Sequence, residues 1–251
     1  MTPHIDLSIL LLITLSGLYA GTQNTLAGGG SFITFPTLLL AGLNPLAANM
    51  TSTIALFPNQ ITTCLAGRKL AGGVGQLTLQ QLFGISVAGG IVGALLLIYT
   101  PATFFARLVP WLVLFATVLF AWGSLRKKPL QTGQHLPRPV VALAQFAISI
   151  YGGYFGGGIG FLMLATLTIA GQQVRMATAT KNVLAMAMNA SAVAFFAFSS
   201  QIDWLAALAL CLGGIGGAFI GNWLMHRVPE KVLRAFVVLI GAVLTVWLFV
   251  R

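Results

Sequence analysis

The sequence predicts an all-α integral membrane protein made of two inverted repeats of about five hydrophobic segments each. Three observations carry this. Mean hydropathy is +0.95 and only 6% of residues are charged, far too little polar surface for a 251-residue chain folding in water. Residues 7–67 hold no Asp, Glu, Lys or Arg, and neither do 70–106, 108–125, 139–174, 182–202 or 204–226. Finally, the stretch from Gly28 to Thr51 recurs without a gap 129 residues later, from Gly157 to Thr180, with nine of 24 positions identical. Matched Leu and Ala count for little in a chain that is 58% hydrophobic. The matched glycines (Gly28/Gly157, Gly29/Gly158, Gly42/Gly171) and threonines (Thr37/Thr166, Thr51/Thr180) count for more.

In chain order, the first half reads as apolar segments at about 5–27, 29–43, 47–66, 77–99 and 104–124. The opening MTPHIDLSILLLITL carries Asp6 and no basic n-region, so it is expected to be an uncleaved first span with its N-terminus outside. Segment 29–43 is short, since ~15 helical residues cover only ~22 Å of a ~30 Å hydrocarbon core. It is expected to be broken or re-entrant. Segment 77–99 contains Gly89-Gly90-Ile91-Val92-Gly93, a small-xxx-small spacing that lets helix backbones approach closely in lipid.

The second half gives about 139–155, 157–171, 178–200, 204–225 and 232–250. Segment 157–171 is again short, and 204–225 carries the matching Gly213-Gly214-Ile215-Gly216-Gly217. This makes eight to ten transmembrane helices. The organisation is a first membrane repeat at 1–125, a basic cytoplasmic linker at 126–138 and a second repeat at 139–251. The linker, RKKPLQTGQHLPR, is polar and Pro-containing, as a loop joining two halves should be.

Charge sets the orientation. If all ten segments cross and the N-terminus is outside, Arg68-Lys69, the linker, Arg175 and the group Arg227, Lys231 and Arg234 all fall in the cytoplasm, as the positive-inside rule requires. Asp203 is then outside, and Arg107 and Arg251 are exceptions. An odd number of crossings per half inverts the second half relative to the first. Fusing each short segment with its neighbour would give eight crossings and a parallel repeat, but it would leave Arg227, Lys231 and Arg234 outside. The +10 formal charge is therefore read as topology, not as nucleic-acid binding. Cys64 and Cys211 sit in apolar runs as small hydrophobes, and no disulfide framework, metal site or cofactor is expected.

Two halves that each carry a short, Gly-interrupted apolar segment suggest a secondary transporter, with its site where those segments meet. Gly28-Gly29-Gly30 and Gly156-Gly157-Gly158 interrupt helical runs inside the membrane, where unwound backbone must be buried in protein or line a wet cavity. A helix restarting after each break offers unpaired N–H groups and a positive dipole end, suited to an anion. Polar residues follow: Gln23, Asn24 and Ser31, then Asn49, Thr51, Ser52, Thr53, Asn59 and Gln60; in the second half Tyr151 and Tyr154, then Thr178, Thr180, Lys181, Asn182 and Asn189. The substrate-binding set expected is Gly28, Gly29, Gly30, Ser31, Asn49, Thr51, Ser52, Gly156, Gly157, Gly158, Thr180, Lys181 and Asn182. Lys181 has two open readings, attraction of an anion or snorkelling to the surface near Arg175.

The remaining charges exclude other chemistry. Asp6, Asp203 and Glu230 lie at span ends or in loops, as do His4, His135 and His226, so no proton relay is expected within the membrane. No buried His is placed to activate Ser31 as a nucleophile, and the chain is not expected to be an enzyme. The membrane potential could drive export, since an anion leaving a cell that is negative inside gains ~2.3 kcal/mol per charge per 100 mV.

The same residues resemble the TauE/SafE family of sulfite and organosulfonate transporters over nearly the whole chain. The likeness rests on Gly28-Gly29-Gly30-Ser31-Phe32 leading to Pro36-Thr37-Leu38-Leu39, and on Ala48-Asn49-Met50-Thr51-Ser52. In the second half it rests on Tyr154-Phe155-Gly156-Gly157-Gly158-Ile159-Gly160, Ala177-Thr178-Ala179-Thr180 and the run Gly213 to Ala218. Ala165 stands opposite Pro36, and Thr180-Lys181-Asn182 departs from the family's Thr-Ser. The resemblance implies a bacterial-type inner-membrane permease. The function expected is a secondary transporter for a small anion, a sulfur oxyanion or organosulfonate, working by alternating access and exporting. The alternatives are an anion channel with the same site, or a membrane enzyme or assembly factor. The partners expected are that anion and the lipid bilayer, with a homodimer compatible with the pattern and no nucleic acid.

Overall fold

A computed structural model describes residues 6–26, 30–125, 136–224 and 230–250. The described residues form ten α-helices, with an all-α fold as expected: α1 (Leu7–Leu26), α2 (Ser31–Leu40), α3 (Pro45–Gly67), α4 (Leu79–Tyr99), α5 (Ala102–Leu125), α6 (Arg138–Tyr154), α7 (Ile159–Ile169), α8 (Val174–Phe196), α9 (Trp204–Leu224) and α10 (Glu230–Val250). Arg68–Leu70 adds one 3₁₀ turn. The linker at 126–135 lies outside the described residues.

Local chemistry sets the boundaries. Asn44 caps α3 by accepting from the Ala47 N–H at 2.9 Å, and Pro45 follows where its missing N–H costs nothing, so α3 starts two residues earlier than expected. Thr78 and Gln81 form a reciprocal capping box at the start of α4. Asp203 Oδ1 accepts from the Ala206 N–H at 2.9 Å at the start of α9. The short helices α2 and α7, 10 and 11 residues long, end alike. Gly42 (φ 92°) and Gly171 (φ 103°) take the left-handed conformation. The following N–H groups of Leu43 and Gln172 reach back to Leu38 O and Leu167 O at 3.1 and 3.0 Å. A side chain at either glycine would be strained, which accounts for this matched pair.

Most of the helix pairs recur when each helix is exchanged for the one five places later. α1 packs on α9, and α6 packs on α4; α3 packs on α9, and α8 on α4; α5 meets α7, and α10 meets α2. The pairs α3–α8 and α5–α10 map onto themselves. The two halves therefore trade helices: α4 lies against α6 and α8, and α9 against α1 and α3. Both trades run on glycine. A Cβ at Gly89 would stand 2.9 Å from Phe146 O on α6, and one at Gly213 or Gly217 would collide with the Thr14 or Leu18 carbonyl on α1. Across the second seam Thr22 Oγ1 donates to Leu18 O on its own helix and to Gly217 O on α9, at 2.8 and 2.9 Å.

Among the described residues, Leu79–Tyr99, Ala102–Leu119 and Trp204–Gly221 are long and apolar enough to cross a membrane. Leu96, Phe115, Leu208 and Phe219 stand bare on these helices, as hydrocarbon contact requires. α3 and α8, each 23 residues, are as long but carry a polar face turned inward. Arg68, Lys69, Arg138 and Arg175 are exposed at helix ends.

Gly213→Ala should lower the thermal midpoint of the detergent-purified protein by an overpacking cost of ~1–3 kcal/mol. Gly84→Ala, whose added methyl meets nothing within 4 Å, should be neutral or stabilise by ~0.4–1 kcal/mol. Equal effects at the two positions would refute the seam.

Candidate functional site

α3 and α8 face one another at the centre of the fold. Along α3, Asn49, Ser52, Thr53, Leu56, Gln60 and Thr63 recur at three- and four-residue steps, which puts them on one face. Along α8, Thr178, Lys181, Asn182, Ala185 and Asn189 do the same. Between them lies a cavity of about 290 Å³, at the small end of the ~300–1,000 Å³ typical of ligand pockets. The glycines between α6 and α7, the first turns of α2 and α7, and Val113 and Leu244 complete its walls.

The cavity obeys the repeat. Among the described residues that line it, eight pairs are related by the 129-residue shift: Ser31/Gly160, Phe32/Phe161, Phe35/Leu164, Asn49/Thr178, Ser52/Lys181, Thr53/Asn182, Leu56/Ala185 and Gln60/Asn189. The last pair touches, with Asn189 Nδ2 donating to Gln60 Oε1 at 2.7 Å. Two equivalent residues can meet only beside the axis that exchanges the halves, so the cavity sits on that axis.

The α6–α7 break and Gly30, the described residue before α2, are each held by an asparagine. Between α6 and α7, Gly156 (φ 80°) and Gly158 (φ 75°) take a conformation open to glycine, and no side chain caps α7. Asn49 Nδ2 donates to Tyr154 O at 3.0 Å, satisfying a carbonyl at the end of α6. Between α1 and α2, Gly28 and Gly29 lie outside the described residues. The Gly30 N–H donates to Asn24 Oδ1 at 2.8 Å, so it is not the bare amide expected for an anion. Gly30 is needed for space, since a Cβ there would stand 2.7 Å from Ala20 O.

Of the expected residues, Ser31, Asn49, Ser52, Gly156, Gly157, Gly158, Lys181 and Asn182 line the cavity, and Gly30 does not. Thr51 and Thr180 are placed elsewhere. Both are fully buried, on the side of their helices turned from the cavity, and each pins a loop. Thr51 Oγ1 accepts from the Asp203 N–H at 3.2 Å, just before α9. Thr180 Oγ1 accepts from the Gly72 N–H at 3.1 Å and donates to Gly72 O at 3.2 Å, in the loop before α4. Gln172 joins the second clip, donating through Nε2 to Gly72 O and Gly73 O at 2.8 and 2.9 Å. The matched threonines thus fasten the traded helices to α3 and α8. Tyr151 and Tyr154 pack outside the cavity, Tyr154 against Phe105 and Thr100.

Lys181 is the one charged side chain among the described lining residues, and no carboxylate accompanies it. Its ammonium lies 3.7 Å from where a Cβ on Gly160 would stand, in the first turn of α7. A cation beside a helix N-terminus adds positive charge to positive charge, an arrangement suited to a negative ligand. The cavity threonines spend their protons at home: Thr53, Thr63 and Thr178 donate to the carbonyls of Asn49, Gln60 and Val174 at 2.8, 3.0 and 2.9 Å. Their lone pairs remain available. The apolar walls, including Phe32, Phe35, Phe155 and Phe161, escaped sequence reasoning, although their place one turn from the paired glycines was a usable signal.

The family model described as sulfite exporter TauE/SafE matches residues 13–248. The chain is 29% identical over 243 residues to a probable membrane transporter protein, ORF9, of Sinorhizobium sp, covering 95% of this chain and 91% of that one. It is 26% identical over 230 residues to the probable membrane transporter protein YfcA of Escherichia coli K12, covering 90% and 84%. A probable membrane transporter protein of Haemophilus influenzae is 25% identical over 252 residues, covering 96% and 94%.

Thr180→Val should leave the Gly72 amide without its partner and destabilise the protein by ~1–3 kcal/mol, whereas Thr180→Ser should restore most of the loss. Thermal unfolding of the three proteins decides; an unchanged midpoint in the valine variant would refute the clip.

Proposed function

Because the chain belongs to the sulfite exporter TauE/SafE family, we infer that it is a membrane transporter for a small oxyanion, a sulfur oxyanion or an organosulfonate. The observation that carries this reading is the cavity itself. It holds one lysine and no carboxylate among the described lining residues, and that lysine stands against a helix N-terminus. Carboxamides and hydroxyls supply the rest of the polar lining, which suits a ligand that must be released again.

The exchange of helix neighbours supports two inverted repeats, with the axis between them lying in the membrane plane. Residues beside such an axis lie midway across the bilayer, where substrate sites of repeat-built carriers are found. The moving bodies are then not the two sequence halves. They are the packing units α1–α3–α9 and α4–α6–α8, each carrying its short helix, α2 or α7, with α5 and α10 alongside. Rocking of α3 against α8 would open the cavity to one face and then to the other. Exit of an anion from a cell that is negative inside is favoured by ~2.3 kcal/mol per charge per 100 mV, so export through the inner membrane needs no coupled ion.

Purified protein in liposomes should take up labelled sulfite or methanesulfonate saturably and support counterflow; flux without counterflow would make it a channel instead. Lys181→Ala should fold normally and lose tenfold or more of its transport at low substrate, and unchanged transport would remove Lys181 from the site. In a background lacking Cys64 and Cys211, oxidising the pair Gln60→Cys/Asn189→Cys should stop transport reversibly. Oxidising Asn44→Cys/Gln201→Cys, at two positions whose native amide side chains hydrogen-bond at 3.4 Å within one unit, should not. The opposite pattern would refute the two moving units.

A further inference from the structure

The cavity has two ends, and they are not alike. α3 starts at one end, beside the Asp203 loop that Thr51 holds, and α8 starts at the other, beside the Gly72 loop that Thr180 holds. The second end carries Arg68, Lys69 and Arg175, the mark of a cytoplasmic face. Six of the eight lining pairs differ in burial, and the better exposed member is each time the one toward this basic end. Phe161 is more exposed than Phe32, Thr178 than Asn49, and Ala185 than Leu56. Past the axis α3 has itself run on toward the basic end, and there the order reverses, with Gln60 more exposed than Asn189. The lining continues to Thr63 at that end, whereas its equivalent Ala192 is fully buried. Gly67 stands half-buried there; its equivalent at the far end, Phe196, is fully buried in one apolar cluster with Met50 and Phe105.

The contacts that close the far end cross between the packing units. Asn49 on α3 donates to Tyr154 O on α6 at 3.0 Å. Beside it α3 packs on α5, whose Phe105 stands edge-on to Tyr154. The basic end has no equivalent. Thr178, the match of Asn49, is exposed and donates to Val174 O of its own helix. α8 makes no comparable contact with α10 among the described residues.

We propose that this is the cytoplasm-open state of the carrier, and that Asn49 is the latch that holds the outer gate shut. Opening outward breaks the Asn49–Tyr154 bond and parts α3 from α5, while α8 closes on α10 at the inner end. The Tyr154 carbonyl released in this way faces the newly opened, wet side of the cavity, where unpaired backbone is tolerated. This inference rests on the proposed carrier and adds which way it faces and what holds it there.

The test reads accessibility and needs no substrate. In a background lacking Cys64 and Cys211, the reporters are Ser52→Cys on the outer half of the lining and Thr178→Cys on the inner half. A membrane-impermeant thiosulfonate should modify Thr178→Cys in inside-out vesicles about tenfold or more faster than Ser52→Cys in right-side-out vesicles, the ratio expected of a well-separated pair of states. Asn49→Thr places at the latch the residue found at the inner position, too short to cross between the units. It should speed outside labelling of Ser52→Cys about three- to tenfold, the range set by losing one hydrogen bond. Asn49→Ser repeats the measurement if Asn49→Thr does not fold. Similar labelling of the two reporters, or Thr178→Cys modified from outside, would overturn the assigned state. Folded Asn49 variants that leave Ser52→Cys unreactive would overturn the latch, and so would failure of both variants to fold, which makes the bond structural. Expected labelling in a protein that moves neither sulfite nor methanesulfonate would sustain the gate and count against the anion assignment alone.

Discussion

Within a bilayer every backbone amide and carbonyl must find its partner inside the protein, and this one constraint organises the molecule. A helix may break at mid-depth only where something else takes over its hydrogen bonds. Here asparagines and glycines do so. Asn24 takes the Gly30 N–H, Asn49 takes the Tyr154 carbonyl, and the left-handed Gly42 and Gly171 let α2 and α7 close on themselves. Once those groups are met, the broken helices can stay short, and the space that full-length helices would have filled becomes a cavity.

The constraint also explains why α3 and α8 differ from their neighbours. Helices such as α4 and α9 turn apolar side chains to lipid and glycine to their partners. α3 and α8 are enclosed by the others and can afford polar faces. One face of each lines the cavity. Another, through Thr51 and Thr180, binds the loops that lead into α9 and α4. A tilt of either helix would therefore carry its traded partner with it, which ties the geometry of the site to the whole of one packing unit.

Much of the architecture was legible in the sequence, because it rests on signals that act locally. Apolar runs marked the ten helices, and glycines marked the α6–α7 break and both close-packed seams. The trade of α4 and α9 was not legible. Glycine spacing says that a helix face will be approached closely, but not by which helix. Thr51 and Thr180 show the same limit on a smaller scale. They adjoin the cavity positions Ser52 and Lys181, yet one residue along a helix is a turn of about 100°, and only the packed structure says which way is inward. The Gly30 amide was missed for a related reason. Its partner lies six residues upstream, across a break that no periodicity describes.

The eight cavity pairs match in position but mostly not in kind. Lysine faces serine, asparagine faces threonine, alanine faces leucine, and the touching amides differ by a methylene. In a machine with indistinguishable halves, swapping them would turn one orientation into the other at no change in energy, so both would be equally populated. Each mismatch lifts that degeneracy. The Lys181 ammonium does so most, being the one charge among the described lining residues and belonging to one half. In a two-faced carrier, unlike residues at matched positions would set a preferred resting direction.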